Sequence, residues 1–254
     1  MFALSEGYEL YMGRWSRRLA PGFAAFAGVR DGERILDVGS GTGAMAATLA
    51  TSLPRSEIVG VDPSAAFVEH AAKHAPSARL RFETGDAQAL RHADGAFDHA
   101  LSLLVMNFIP DHEKALAEMR RVTRDGGAVS ACVWDYGEGM ESLRIFWDEA
   151  VALDAAAAPK HERNMKLSRR GELETLWRKA GLREVREEAL IVEQVFSSFD
   201  DYWRPFLTGV GPGGAYVASL AEERRARLAA RLRERLHEGP IGLNARAWCV
   251  RGMN

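Results

Sequence analysis

Short apolar runs of strand length alternate with amphipathic stretches of helical period through the first half of the chain. Runs at 33–38, 57–61, 80–83, 97–104 and 128–134 predict five strands. Between them, 44–53, 64–74 and 111–124 predict helices. In the last of these Ala115, Leu116, Met119 and Val122 share one face, and Gly126-Gly127 is expected to stop it. Residues 1–31 read as one or two helices, with Leu19, Phe23 and Phe26 turned inward and Pro21 near a helix start. Strands alternating with helices imply a parallel sheet covered on both faces. Right-handed crossovers then make it doubly wound.

The second half departs from this rhythm. Helices are expected over 143–157, 170–180 and 219–236, and strands over 185–195 and 243–250. The expected fold class is α/β, with a mostly parallel seven-stranded sheet, helices on both faces and a helical lid inserted before the last strand. The chain 1–254 then reads as one domain: a cap at 1–31, a ligand-binding half at 32–136, and insertions at 137–168 and 197–239 on the substrate side.

The glycine turn brings in chemistry. Gly39, Gly41 and Gly43 follow the first strand directly and open a helix. Glycine lets a ligand approach the backbone, and the amides of a helix start point at whatever sits above the strand ends. In open α/β sheets that crevice is the binding place. Asp62 closes the second strand, where an acid can accept hydrogen bonds from both ribose hydroxyls. A dinucleotide site shares this logic, but Asp37, two residues ahead of the first glycine, would repel a pyrophosphate and suit an ammonium. That favours S-adenosylmethionine, which carries an ammonium and a sulfonium and no phosphate.

These residues resemble the class I, Rossmann-like methyltransferases, in particular the small-molecule enzymes around the ubiquinone and menaquinone C-methyltransferases. The resemblance covers roughly residues 11–134. ILDVGSGTG resembles that family's first motif, VDPS the segment after it, TGDAQAL the adenine edge, and LLVMNFIPDHEKALAEMRRVTRDGG the end of strand four with its helix, with RDGG in place of the more usual RPGG. The resemblance implies that Asp37, Gly39, Ser40, Gly41 and Thr42 line the methionine half of S-adenosyl-L-methionine. It places Asp62 and Pro63 at the ribose, Asp86 and Ala87 at the adenine, and Leu103, Leu104 and Val105 beneath the sulfonium. Asp86 also reads as a turn residue. In YMGRWSR, Tyr11, Arg14 and Trp15 are candidates for the cofactor carboxylate, or for packing on the sheet. S-adenosyl-L-homocysteine is the implied product.

Methyl transfer works mainly by proximity and orientation, with a base where the acceptor needs one. His112, Asp135 and His161 are weak candidates for that base. The acceptor pocket is expected to draw on Met106, Asn107, Trp134 and Tyr136, and on Tyr202, Trp203, Phe206 and Tyr216 of the second insertion. Gly209, Gly211, Gly213 and Gly214 read as a hinge. His70 and His74 have metal-like spacing but no third ligand, so no metal is expected. The arginines of 219–236 read as a solvated face, with Leu220, Leu228, Leu232 and Leu236 as its buried stripe or a dimer contact.

Composition alters this little. A formal net charge of −2 argues against a nucleic-acid partner. Cys132 and Cys249, both in apolar runs, read as buried thiols. Neither a signal peptide nor a membrane-spanning run is evident. The expectation is a cytoplasmic methyltransferase, monomer or homodimer, acting on a small molecule away from membranes. The rivals are an NAD(P)-dependent oxidoreductase and a non-catalytic S-adenosylmethionine-binding protein.

Overall fold

The computed structural model describes Gly7 and residues 9–254, so residues 1–6 and 8 of the expected cap lie outside it. Its strands are β1 (Arg34–Val38), β2 (Glu57–Asp62), β3 (Leu80–Thr84), β4 (Phe97–Leu103), β5 (Thr123–Trp134), β6 (Arg183–Phe196) and β7 (Ile241–Met253). They form one sheet in the order β3-β2-β1-β4-β5-β7-β6. Strands β1 to β5 pair in parallel; β7 runs antiparallel to both β5 and β6. The order of the strands reverses between β1 and β4, and this opens a crevice at their carboxyl ends. Cys132 and Cys249 are buried directly opposite each other across β5 and β7.

The helices are α1 (Arg14–Ala27), α2 (Ala44–Ser52), α3 (Ala65–Lys73), α4 (His112–Val122), α5 (Glu141–Leu153), α6 (Glu172–Lys179), α7 (Phe199–Trp203), α8 (Gly211–Ser219) and α9 (Glu222–Leu236). Among the described residues, none is long and apolar enough to cross a membrane.

Three expectations need correction. Pro21 lies inside α1 rather than at its start. The inward face begins upstream at Trp15 and continues through Leu19, Phe23 and Phe26, so its burial outweighs the one hydrogen bond that proline removes. Gly126-Gly127 does not stop α4. The helix ends at Val122, Thr123 already pairs with Phe97, and the glycines lie within β5. Gly127 is needed because a Cβ there would stand 2.5 Å from the Asp98 carbonyl oxygen.

The lid is also divided. The expected helix over 219–236 forms as α9 from Glu222, and Gly211, Gly213 and Gly214 build the first turn of a separate helix, α8, instead of a free hinge. Leu228 and Leu232 are fully buried against the chain itself and offer no dimer face. The arginines of α9 are half exposed, and several reach acids of α5 and its C-cap: Arg231 to Glu149 at 2.8 Å, Arg235 to Glu149 at 3.0 Å and Arg224 to Asp154 at 3.0 Å.

Candidate ligand site at the strand ends

After Val38 the chain turns through Gly39–Gly43 into α2. The amides of Gly39 and Ser40 both donate to the Val61 carbonyl, at 2.7 and 3.0 Å, which ties the turn to the end of β2. Gly39 has φ of 75°, and a Cβ there would lie 2.4 Å from Val105 Cγ1, so no side chain fits. Val105 enters from the end of β4. Beside it Leu104 holds φ of 64°, a rare conformation for leucine, secured by its amide donating to Cys132 O at 2.7 Å.

These ends enclose a cavity of about 140 Å³. The structure brings Asp37, Gly39, Ser40, Gly41, Thr42, Asp62, Leu103, Leu104 and Val105 to its wall. Ser16, Ala44, Met45, Phe67 and Phe108 join them, although sequence reasoning did not single them out. The place of Phe67 was within reach of local pattern, since it follows Asp62 by five residues in the first turn of α3.

Asp37 is 1% exposed. Its Oδ2 accepts from the Ala46 amide at 3.1 Å, while Oδ1 is buried with no partner. Burial pushes its carboxyl up to about 7, against the Ala46 hydrogen bond and with help from Asp62. Asp62 accepts from the Gly41 amide at 2.9 Å on one oxygen and from the Ser64 amide at 2.9 Å on the other. Burial raises its pKa too, opposed by those two amides. Each Asp62 oxygen keeps a lone pair for a further donor.

Other expected positions lie elsewhere. Pro63 is exposed beside Asp62. Asp86 and Ala87 are not on the cavity wall. Asp86 is exposed and caps its own turn, accepting from the Gln88 amide at 2.8 Å and from Gln88 Nε2 at 3.1 Å, and these bonds lower its pKa. Tyr11, Arg14 and Trp15 turn away from the glycines toward the insertion. Arg14 pairs with Asp201 at 2.9 Å and lies over the Trp15 and Phe196 rings. Tyr11 meets Phe206 edge-on. At the glycine end the neighbours are Glu9, which accepts from Thr42 Oγ1, and Arg17, which donates to Glu9.

The expected acceptor residues are buried, apart from the half-buried Asn107. Phe146 stacks on Phe206 at 4.3 Å, and Tyr202 packs beside it while donating to Ser142 O at 2.9 Å. Trp203 lies 5.9 Å from Phe206. Tyr216 lies 5.5 Å from Trp147. Met106, Trp134 and Tyr136 are in the core. Asn107 Nδ2 donates to Met165 Sδ at 3.4 Å. Several polar atoms here are buried without partners: Tyr11 Oη, Asn107 Oδ1, Trp134 Nε1, His161 Nε2 and Tyr216 Oη.

Of the candidate bases, Asp135 is engaged on both oxygens. Arg246 donates to it at 2.7 and 2.9 Å, Trp248 Nε1 at 3.2 Å and the Glu138 amide at 3.0 Å. Its burial favours protonation, but the Glu138 and Gly139 amides and Arg246 outweigh it and hold the carboxyl below its usual range. His112 opens α4 behind the cap formed by Asp111. His161 stacks on Trp147, and burial lowers its pKa to about 4, so it is neutral at pH 7. Sequence reasoning missed Glu162. It is 4% exposed, accepts from Trp147 Nε1 at 2.5 Å, and burial pushes it up to about 7. Its polar neighbours in the chain carry no signal of that burial.

Residues 36–131 match a family model described as a methyltransferase domain. An uncharacterized protein of Mycobacterium tuberculosis is 31% identical over 152 residues, covering 58% of this chain and 54% of that one. A demethylmenaquinone methyltransferase of Thermus thermophilus is 36% identical over 126 residues, 49% of this chain and 54% of that one. The chain thus spans about half the length of these curated relatives. A phosphoethanolamine N-methyltransferase of Haemonchus contortus, solved with S-adenosylhomocysteine, shares the fold at a TM-score of 0.60 and 19% identity, over 98% of this chain and 56% of that one.

Proposed function

We propose, on the premise that residues 36–131 are a class I methyltransferase domain within a chain of that fold, that the protein transfers a methyl group from S-adenosylmethionine to a small-molecule acceptor. One observation carries the cofactor reading. A buried carboxylate oxygen of Asp37 has no partner, on the wall of a cavity that also holds Asp62 and the glycine turn. An ammonium satisfies Asp37, and ribose hydroxyls satisfy the spare lone pairs of Asp62. A pyrophosphate would meet two carboxylates instead. The residues present therefore fit the group.

Bound there, S-adenosylmethionine supplies a methyl carbon activated by its sulfonium. The chain's own part is orientation. Asp37 faces the ammonium, the glycine turn lets the methionine half lie close against the backbone, and Leu103, Leu104 and Val105 form an apolar floor. Phe67 and Phe108 flank the other half. We assign the acceptor side to the second insertion, whose aromatic rings pack on Phe146 and would exclude water. That enclosure favours a small acceptor over a macromolecule. Where the acceptor must lose a proton, His161, stacked on Trp147 of α5, is the candidate base.

Calorimetric titration tests the reading. S-adenosylhomocysteine should bind at micromolar concentration and NADPH should not displace it; NADPH binding without S-adenosylhomocysteine binding overturns the reading. Asp62→Ala should weaken S-adenosylhomocysteine by about 1–3 kcal/mol through lost charge-assisted hydrogen bonds. Transfer of labelled methyl to a component of a metabolite extract separates an enzyme from a protein that only binds the cofactor.

A further inference from the structure

Beyond β5 the surface holds a second concavity, of about 710 Å³, away from the glycine turn. Arg144, Arg163, Arg169, Arg170 and Arg246 line it around the Trp248 ring. Asp135 and Glu138 are the acids on the same wall, so five arginines against two acids leave the lining strongly positive in a chain whose net charge is −2. Like charges gathered in a hollow repel one another unless an anion sits among them.

Two features make this a built site. First, Asp135 is almost fully buried and grips Arg246 through two hydrogen bonds, at 2.7 and 2.9 Å, so that guanidinium is held in place before any ligand arrives. Trp248 supports it, with Arg246 at 5.1 Å and Arg170 at 6.0 Å from the ring centre. Second, no described carboxylate pairs with Arg163, Arg169 or Arg170 within salt-bridge distance. Arg144 has only a long contact of 3.7 Å to Asp148. Glu187, near Arg170, is occupied by the Gly171 and Glu174 amides. Planar guanidinium forks of this kind match carboxylate and phosphate oxygens in pairs.

We propose that this cleft binds a small polyanion, a molecule bearing two or more carboxylates or a phosphate. It opens at the carboxyl end of β5, and β5 adjoins β4, which ends at the glycine-turn cavity. With strands about 4.8 Å apart, Arg246 and Trp248 on β7 lie roughly 10 Å sideways from that cavity, so both sites can be filled together.

The test is calorimetry with citrate and with pyrophosphate, at constant ionic strength, against the whole chain saturated with S-adenosylhomocysteine and against the chain alone. At least one anion should bind saturably, and the tighter of the two identifies the class. Arg169→Gln/Arg170→Gln should weaken it at least tenfold and leave S-adenosylhomocysteine affinity unchanged. Arg55→Gln, an exposed arginine far along the chain from the cleft, should leave it unaltered. Absence of saturable binding by both anions overturns the proposal. So does equal weakening by Arg55→Gln, which would mean diffuse attraction rather than a site.

Discussion

Two buried carboxyls raised to about 7 set the behaviour of single residues. Asp37 must give up its proton to face an ammonium. Raising the pH through about 7 should therefore strengthen S-adenosylhomocysteine binding, which then levels off. Between pH 5.5 and 7.5 the gain should be roughly tenfold or more. Titrations in buffers of different ionisation enthalpy should also show proton release, and a flat pH profile would contradict the Asp37 assignment. Glu162 acts on stability. Unfolded, it ionises near its ordinary value; folded, it keeps its proton to about 7. The unfolded chain thus gains a deprotonation advantage as pH rises through that window, and stability falls. Glu162→Gln removes the loss while its amide oxygen still accepts from Trp147. Urea denaturation should show the variant's gain over the parent larger at pH 8 than at pH 5, by about 2 kcal/mol.

At the scale of elements, α1 is where local propensity yields to packing. Pro21 is exposed at the eighth position of the helix and deprives the Arg17 carbonyl of its amide, while Trp15, Leu19 and Phe23 fix the helix from the other side. Pro21→Ala restores the donor without touching the buried face, so it should stabilise the chain by about 1–2 kcal/mol in denaturant titrations. The glycine turn shows the reverse, a local pattern that packing uses as it stands. Alternating glycines after a strand were legible, and the structure gives the reason: Val105 occupies the space of a Gly39 side chain. The second insertion was less legible. Its glycine run suggested a hinge, but a helix starts there, with Gly214 packed closely against Gly209.

For the whole molecule, the glycine-turn cavity lies between the α1 side and the strand ends, so a ligand there bridges parts of the chain far apart in sequence. Ser16 of α1 and Asp62 of β2 share its wall. S-adenosylhomocysteine at a hundred times its dissociation constant should stabilise the fold by about 2.7 kcal/mol. For a chain of this size that raises the midpoint by roughly 5–10 °C in a thermal scan. No shift at saturation would mean that the native state does not hold the ligand. The insertion should respond less to salt than its charge suggests, because the arginines of the α5–α9 ion pairs are half exposed and each such pair is worth about 0–1 kcal/mol.

The sequence by itself determined the alternating elements, the glycine turn, and the placing of Asp37 and Asp62 at the ends of adjoining strands. All of these rest on spacing within a few residues, because strand and helix periods are local properties of the backbone. Tertiary structure alone decided the rest. Arg14 turns from the expected cofactor position to Asp201, 187 residues away. Glu162 is buried although its neighbours in the chain are polar. Arg163, Arg169 and Arg170 meet Arg246 across the fold around Asp135 and Trp248. Those contacts form when separate loops are brought together over the ends of β5 and β7, and loops carry no period from which such a meeting could be read.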